Sequence, residues 1–179
     1  MQNEIYCAVT HQLHRVAKRL GCRFAVFVWE NISPYQNPID QSLLKKTDLV
    51  VCGNGEAENL VKTWNENTVR CIQVGVNTDV FEPKGGEVSY DIIYQGRLTP
   101  EKGVGVLRRA VDGTGWKVLW PQPNFATPYE KLPERYAKAR VYAAPSLDTP
   151  KWKEQHAGYS SLEALSCGLY VATSDSSSI

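Results

Sequence analysis

No stretch of this 179-residue chain approaches the roughly 18 consecutive apolar residues that a membrane-spanning helix needs. The opening residues, MQNEIYCAV, also lack the charged segment and following apolar run of a secretory leader. A cytoplasmic location is the expectation, with peripheral attachment at a membrane as the alternative. An excess of one charge sign is missing too. Lys and Arg number 20 against 19 Asp and Glu, a formal net charge of +1, so no strong field favours nucleic acid, and no nucleic-acid partner is expected. The five cysteines, Cys7, Cys22, Cys52, Cys71 and Cys167, are odd in number and scattered without CxxC spacing. That argues against a disulfide framework or a zinc site, and they read as reduced, mostly buried small hydrophobes. Nothing else has metal-ligand spacing, so no metal is expected. His11, His14 and His156 stand beside no nucleophile in sequence and read as surface or helix-face histidines.

What is present is an alternation of helical and strand-like segments. With 42% hydrophobic residues the chain can bury a core, as one ordinary domain or two small ones. Thr10 can cap a helix whose apolar positions Leu13, Val16, Ala17 and Leu20 share a face that packs on a sheet, with Gly21 ending it. Residues 23–29, RFAVFVW, form a continuous apolar run, as expected of a parallel strand covered on both faces. Pro38 suits the first turn of a helix continuing through 40–46, residues 48–52 return as a strand, and a permissive turn at 53–55 leads to a helix over 56–64. Residues 69–74, 91–94, 116–120 and 141–146 read as strands. Residues 104–111, 129–139 and 158–168 read as helices. The pattern is α/β with Rossmann-like parallel sheets.

Chemistry concentrates in two places. Between the strand at 91–94 and the helix beyond Gly103 lies a loop bearing Arg97 and Lys102. Loops at the carboxyl ends of parallel strands are where open α/β sheets bind ligands, and a guanidinium beside an ammonium and a helix amino end suits a diphosphate. An ordinary surface loop with two solvated cations fits the spacing equally well. The second place is the helix entered at Gly158 and left at Gly168. Its Glu163 could accept hydrogen bonds from a ribose diol while N–H groups near Tyr159 and Ser160 face phosphate, or it could be a solvated surface residue.

The stretch QGRLTPEKGVGVLRRAV, residues 95–111, resembles the GRL…EKG signature of retaining, nucleotide-sugar-dependent glycosyltransferases of the GT-B fold, the group 1 or family 4 type. The resemblance implies two incomplete Rossmann-like halves joined by a linker, with a nucleotide-diphospho-sugar bound between them. Gly96 opens the signature, and Arg97 and Lys102 take the positions that hold the donor diphosphate. GVNTDVFEP, residues 75–83, resembles the segment crossing between the family's domains, although Asn77 stands where Asp is usual. The implied domains are 1–83, the later part of the acceptor-side half, and 84–179, a shortened donor-binding half, so that the chain corresponds to the central portion of a family member. WKEQHAGYSSLEALSCG, residues 152–168, resembles the family's element of two glutamates seven residues apart. Glu163 matches the second, which binds the donor ribose, with Gly158, Tyr159 and Ser160 at the phosphate side.

The sequence also departs from that pattern. Gln155 stands eight positions before Glu163, with Glu154 one further back, so Glu154 is the catalytic carboxylate if the loop absorbs an extra residue. Trp29 occupies the position where many relatives carry a histidine. Only residues 121–128 stand where a whole α/β unit is usual. The reading is a hexosyltransferase-type glycosyltransferase without a cofactor or required metal. Its substrate is a nucleotide-diphospho-sugar, its acceptor an unknown glycan, lipid or small molecule, and an oligomer or partner chain is a further expectation. The alternative is a non-catalytic nucleotide-sugar-binding or interaction module. A sugar-nucleotide epimerase fits the paired signatures less well.

Overall fold

The computed structural model describes residues 4–33, 37–65, 69–73, 75–122, 127–155 and 158–175. The readings at Pro34, Val74, residues 123–126, His156 and Ala157 lie outside the described residues. Those described form two compact units, residues 4–73 with Gln155, and residues 75–154 with 158–175.

In the first unit, strands β1 (Ala25–Val28), β2 (Leu49–Cys52) and β3 (Val69–Cys71) pair in parallel in the order β1-β2-β3. Parallel neighbours need a crossover, and helices α2 (Pro38–Lys46) and α3 (Gly55–Lys62) supply it. Each begins on an asparagine cap: Asn37 Oδ1 accepts from the Ile39 N–H at 2.9 Å, and Asn54 Oδ1 from the Ala57 N–H at 2.7 Å. Val26, Val28, Val50 and Cys52 face Leu43, Leu44, Ala57 and Val61 in one buried core. The register places Ala25 beside Leu49 and Phe27 beside Val51 on the opposite face, which is more open. The apolar run 23–29 is therefore covered on one face rather than both.

Helix α1 spans Ala8–Arg19 and begins on Cys7, not Thr10. Thr10 lies inside it, buried, its hydroxyl donating to the Glu4 carbonyl at 2.7 Å. The apolar stripe does not pack on the sheet: Val9, Leu13, Val16 and Leu20 are exposed, Leu20 by 71%. The polar flank holds the helix instead, through His11 Nε2 at 2.7 Å from Asp40 Oδ1 and the His14 ring edge-on to Phe24. Of the cysteines, all free, Cys52 and Cys167 are buried, Cys7 and Cys71 half-buried and Cys22 exposed.

In the second unit, β4 (Tyr90–Ile93), β5 (Val118–Leu119), β6 (Ala139–Ala144) and β7 (Tyr170–Thr173) make a parallel sheet ordered β5-β4-β6-β7. Helices α4 (Val104–Val111), α5 (Leu132–Tyr136) and α6 (Tyr159–Ser166) accompany it. The helix expected over 129–139 is divided into a 3-10 turn, Tyr129–Lys131, and α5. Pro133 sits in the first turn of α5, where its missing N–H has no intrahelical partner to lose. Residues 75–83, read as a linker, contribute to this unit: Phe81 is fully buried against Tyr129 and Tyr136, and Ser166 Oγ donates to its carbonyl. Both sheets are wholly parallel, so the chain is α/β and compatible with a Rossmann-like fold. Among the described residues no helix is long and apolar enough to cross a membrane.

Trp29 is a packing residue. It is buried, its ring 5.1 Å from that of Phe27, and a Cβ on Gly53 would come within 2.2 Å of it, so only glycine admits the indole there. Its backbone N–H donates to Glu4 Oε1 at 2.6 Å. Burial, assisted by the Glu30 charge and only partly offset by that hydrogen bond, pushes the Glu4 carboxyl up to about 7. The folded state therefore binds more protons than the unfolded between the ordinary carboxylate pKa of 4.5 and about 7, and stability falls as pH rises through that window. Glu4→Gln removes the titration. Urea unfolding should show a variant advantage that grows from pH 5 to 7.5 by roughly 1–3 kcal/mol. A difference independent of pH would contradict the buried-carboxyl account.

Candidate functional site

The loops that follow β4 and β6 leave the same edge of the second unit's parallel sheet, the usual ligand edge of such sheets. Tyr94, just past β4, is buried and donates its hydroxyl to the Arg97 carbonyl at 2.7 Å, folding the loop back on itself. Burial, reinforced by the charges of Glu154 and Glu101, pushes that phenol up to about 12, so it remains a donor. A Cβ on Gly96 would sit 3.1 Å from the same hydroxyl oxygen, a tight approach that glycine avoids.

The loop then makes a 3-10 turn, Pro100–Lys102, and reaches Gly103 in the left-handed region, φ 70°. An added Cβ would lie 1.6 Å from the Pro145 carbonyl oxygen, so glycine is required twice over, by conformation and by space. The Leu147 N–H donates to the Glu101 carbonyl at 2.8 Å. These two contacts lock the post-β4 loop to the post-β6 loop.

The locking brings side chains of opposite charge together. Lys102 Nζ lies 2.6 Å from Glu154 Oε2, and Ser146 Oγ donates to that oxygen at 3.0 Å. Glu154 and Ser146 are both buried. The ammonium also lies 5.0 Å from the centre of the Trp152 ring. Trp152 is held by a small antiparallel bridge, its carbonyl accepting from the Thr149 N–H at 2.7 Å. Gln155, which belongs to the first unit, takes another direction: its Nε2 donates to Glu30 Oε1 at 3.0 Å, and its carbonyl accepts from Asn54 Nδ2 at 2.9 Å. Of the two candidates for a carboxylate position, Glu154 is the one beside Lys102. Arg97 is exposed and makes no side-chain hydrogen bond or ion pair among the described residues.

Helix α6 joins the same edge through Tyr142. The Tyr142 hydroxyl, on β6, is 2.6 Å from Ser160 Oγ and 3.2 Å from the Gln95 carbonyl, linking the start of α6 to the start of the Arg97 loop. Gly158 precedes α6 in the left-handed region, φ 67°, and the first-turn N–H groups of Tyr159 and Ser160 have no intrahelical acceptors. Gln95 Oε1 and Ser161 Oγ flank this contact, buried and without hydrogen-bond partners. Glu163 is not a solvated surface residue. It is buried, and the Tyr136 hydroxyl donates to its Oε2 at 3.1 Å. Burial raises its pKa, and the tyrosine bond offsets part of that rise.

The structure thus unites Lys102 with Glu154 directly and Ser160 with the Arg97 loop through Tyr142, while Glu163 sits deeper, on Tyr136. Ser146, Trp152, Tyr94 and Tyr142 were not found from sequence as site residues, because their roles arise from loops far apart in the chain. Among the described residues no group of three or more His, Cys, Asp or Glu could hold a metal ion. Gly103→Ala tests the loop lock. It should destabilise the protein by at least about 2 kcal/mol in urea unfolding, combining left-handed strain with a backbone collision. A change under about 0.5 kcal/mol would show that the two loops are not held this way.

No protein-family model matches the chain, and no curated protein matches it in sequence.

Proposed function

We propose that the second unit binds the diphosphate of a nucleotide-diphospho-sugar and that the protein is a GT-B-type retaining glycosyltransferase acting on an acceptor glycan, lipid or small molecule. The observation that carries this reading is the placement of Lys102 at the carboxyl edge of a parallel sheet, on the loop that also bears the exposed Arg97 and packs on Pro145 through Gly103. Glycosyl transfer breaks the bond between the anomeric carbon and a diphosphate oxygen, so negative charge grows on the leaving group. The cations of Arg97 and Lys102 stabilise that charge. The first-turn amides of α6 at Tyr159 and Ser160 offer further donors to phosphate. Glu163, with Oε2 already taken by Tyr136, offers Oε1 to a ribose diol, and Tyr136 fixes its orientation. Glu154 is the carboxylate nearest this cation and the candidate for the sugar side of the reaction.

A second reading, a non-catalytic nucleotide-sugar-binding module, draws support from the engagement of Glu154 with Lys102, which occupies the carboxylate that chemistry would need. Nucleotide release from UDP-, GDP- and ADP-sugars separates the two: turnover that Glu154→Gln abolishes supports the transferase, and binding without turnover supports the module.

Binding itself is tested first. Arg97→Ala and Lys102→Ala should each weaken nucleoside diphosphate binding roughly tenfold or more in calorimetric titration, the loss of one charge-assisted hydrogen bond. Unchanged affinity in both variants would remove the diphosphate assignment. Glu163→Gln should cost more for ribonucleotides than for their 2′- and 3′-deoxy analogues, and equal losses would make Glu163 purely structural.

A further inference from the structure

We propose that Glu154 is a built-in competitor for the phosphate position: its carboxylate holds the Lys102 ammonium, and a diphosphate must displace it to bind. This rests on the diphosphate reading above and adds to it a regulatory contact within the same site. The geometry is that of a closed pair rather than a loose surface bridge. The Nζ–Oε2 distance is 2.6 Å, Glu154 is 7% exposed, and the Lys102 side chain is 21% exposed. Three features fix the pair where it is. Ser146 donates to the same oxygen, the Trp152 ring lies under the ammonium, and the Gly103–Pro145 approach sets the lysine's backbone against the strand that delivers Ser146. A carboxylate oxygen at this distance from an ammonium has the charge and spacing of a phosphate oxygen in the same place. Both cannot use the same direction of approach to Nζ, and a phosphate placed beside an undisplaced Glu154 would also meet its negative charge.

Arg97 has a complementary part. Exposed and without an ion pair among the described residues, it can take the first phosphate while Lys102 is still held, and the second phosphate then competes with Glu154. A monophosphate, which need only reach Arg97, gains little from opening the pair. A diphosphate gains the whole contact. The internal carboxylate would therefore make the site discriminate by number of phosphates as well as by charge.

The competition has a measurable sign. If the site is open to phosphate for about a tenth of the time, the apparent affinity is lowered about tenfold, and removing the competitor restores it. Glu154→Gln keeps an oxygen acceptor for Ser146 and removes the charge. In calorimetric titrations of the full chain with UDP, ADP, GDP and inorganic pyrophosphate, Glu154→Gln should bind each about tenfold tighter than wild type. UMP, AMP and GMP should change much less. Glu154→Asp, which keeps the charge on a shorter stem, should fall between.

Should Glu154→Gln not yield folded protein, Ser146→Ala decides on the same terms: it loosens the carboxylate and should tighten diphosphate binding. Wild-type binding that Glu154→Gln leaves equal or weakens would overturn this inference while leaving the diphosphate reading intact. Equal gains for mono- and diphosphates would overturn the two-step arrangement. No binding of any diphosphate to either protein would overturn the diphosphate reading itself, and this inference with it.

Discussion

The approach of Gly103 to the Pro145 carbonyl is the constraint on which the candidate site depends. A backbone at φ 70° with no room for a Cβ allows the post-β4 loop to lie directly on the post-β6 loop. The polar contacts between these two loops follow from this closeness. The Leu147 N–H reaches Glu101, and Lys102, one residue before the glycine, faces Ser146 and Glu154. A side chain at position 103 would push the loops apart and separate the lysine from its carboxylate. The constraint is steric and local, yet it sets the electrostatics of the site.

Tyrosines make a second layer of support. Tyr94, Tyr142 and Tyr136 use their hydroxyls on Arg97, on Gln95 and Ser160, and on Glu163, each from a buried ring. Burial raises all three phenol pKa values, so they stay protonated donors across the range in which phosphate ligands are charged. Aromatic bulk fills the core beneath the site while the polar tips orient the groups above it. Phe81 extends the same core from residues 75–83, which is why that stretch belongs to the second unit's packing and not to a free linker.

Much of the fold was legible because periodicity and turn chemistry are local. The strands near 91–94 and 48–52 and the helix after Gly103 follow from spacing alone, whereas the permissive turn expected at 53–55 is an extended Asn54 cap with Gly55 already in the helix. What failed was any inference about partners. The stripe Leu13, Val16 and Leu20 shows that a helix has an apolar face, and nothing in that spacing says which surface receives it; here α1 is fastened by His11 and His14 instead. The run 23–29 is apolar throughout, and only the register of β1 and β2 reveals that alternate residues meet a core. The same limit applied to chemistry. Arg97 and Lys102 stood out as cations on a loop, but the ion pair with Glu154 spans 52 residues and the Ser146 bond joins a different loop, so neither could be read from spacing. Glu163 stood out as a residue, but its burial and its bond to Tyr136, 27 residues away, could not be read from a helix position.

The central claim is that phosphate and Glu154 compete for one lysine. A crystal structure of the protein with a bound nucleoside diphosphate sugar tests it most directly. The account expects phosphate oxygens within hydrogen-bond distance of Lys102 Nζ and the Arg97 guanidinium, with the Glu154 carboxylate moved off the lysine. A nucleotide bound elsewhere, or one seated on Lys102 beside an unbroken Lys102–Glu154 pair, would contradict it.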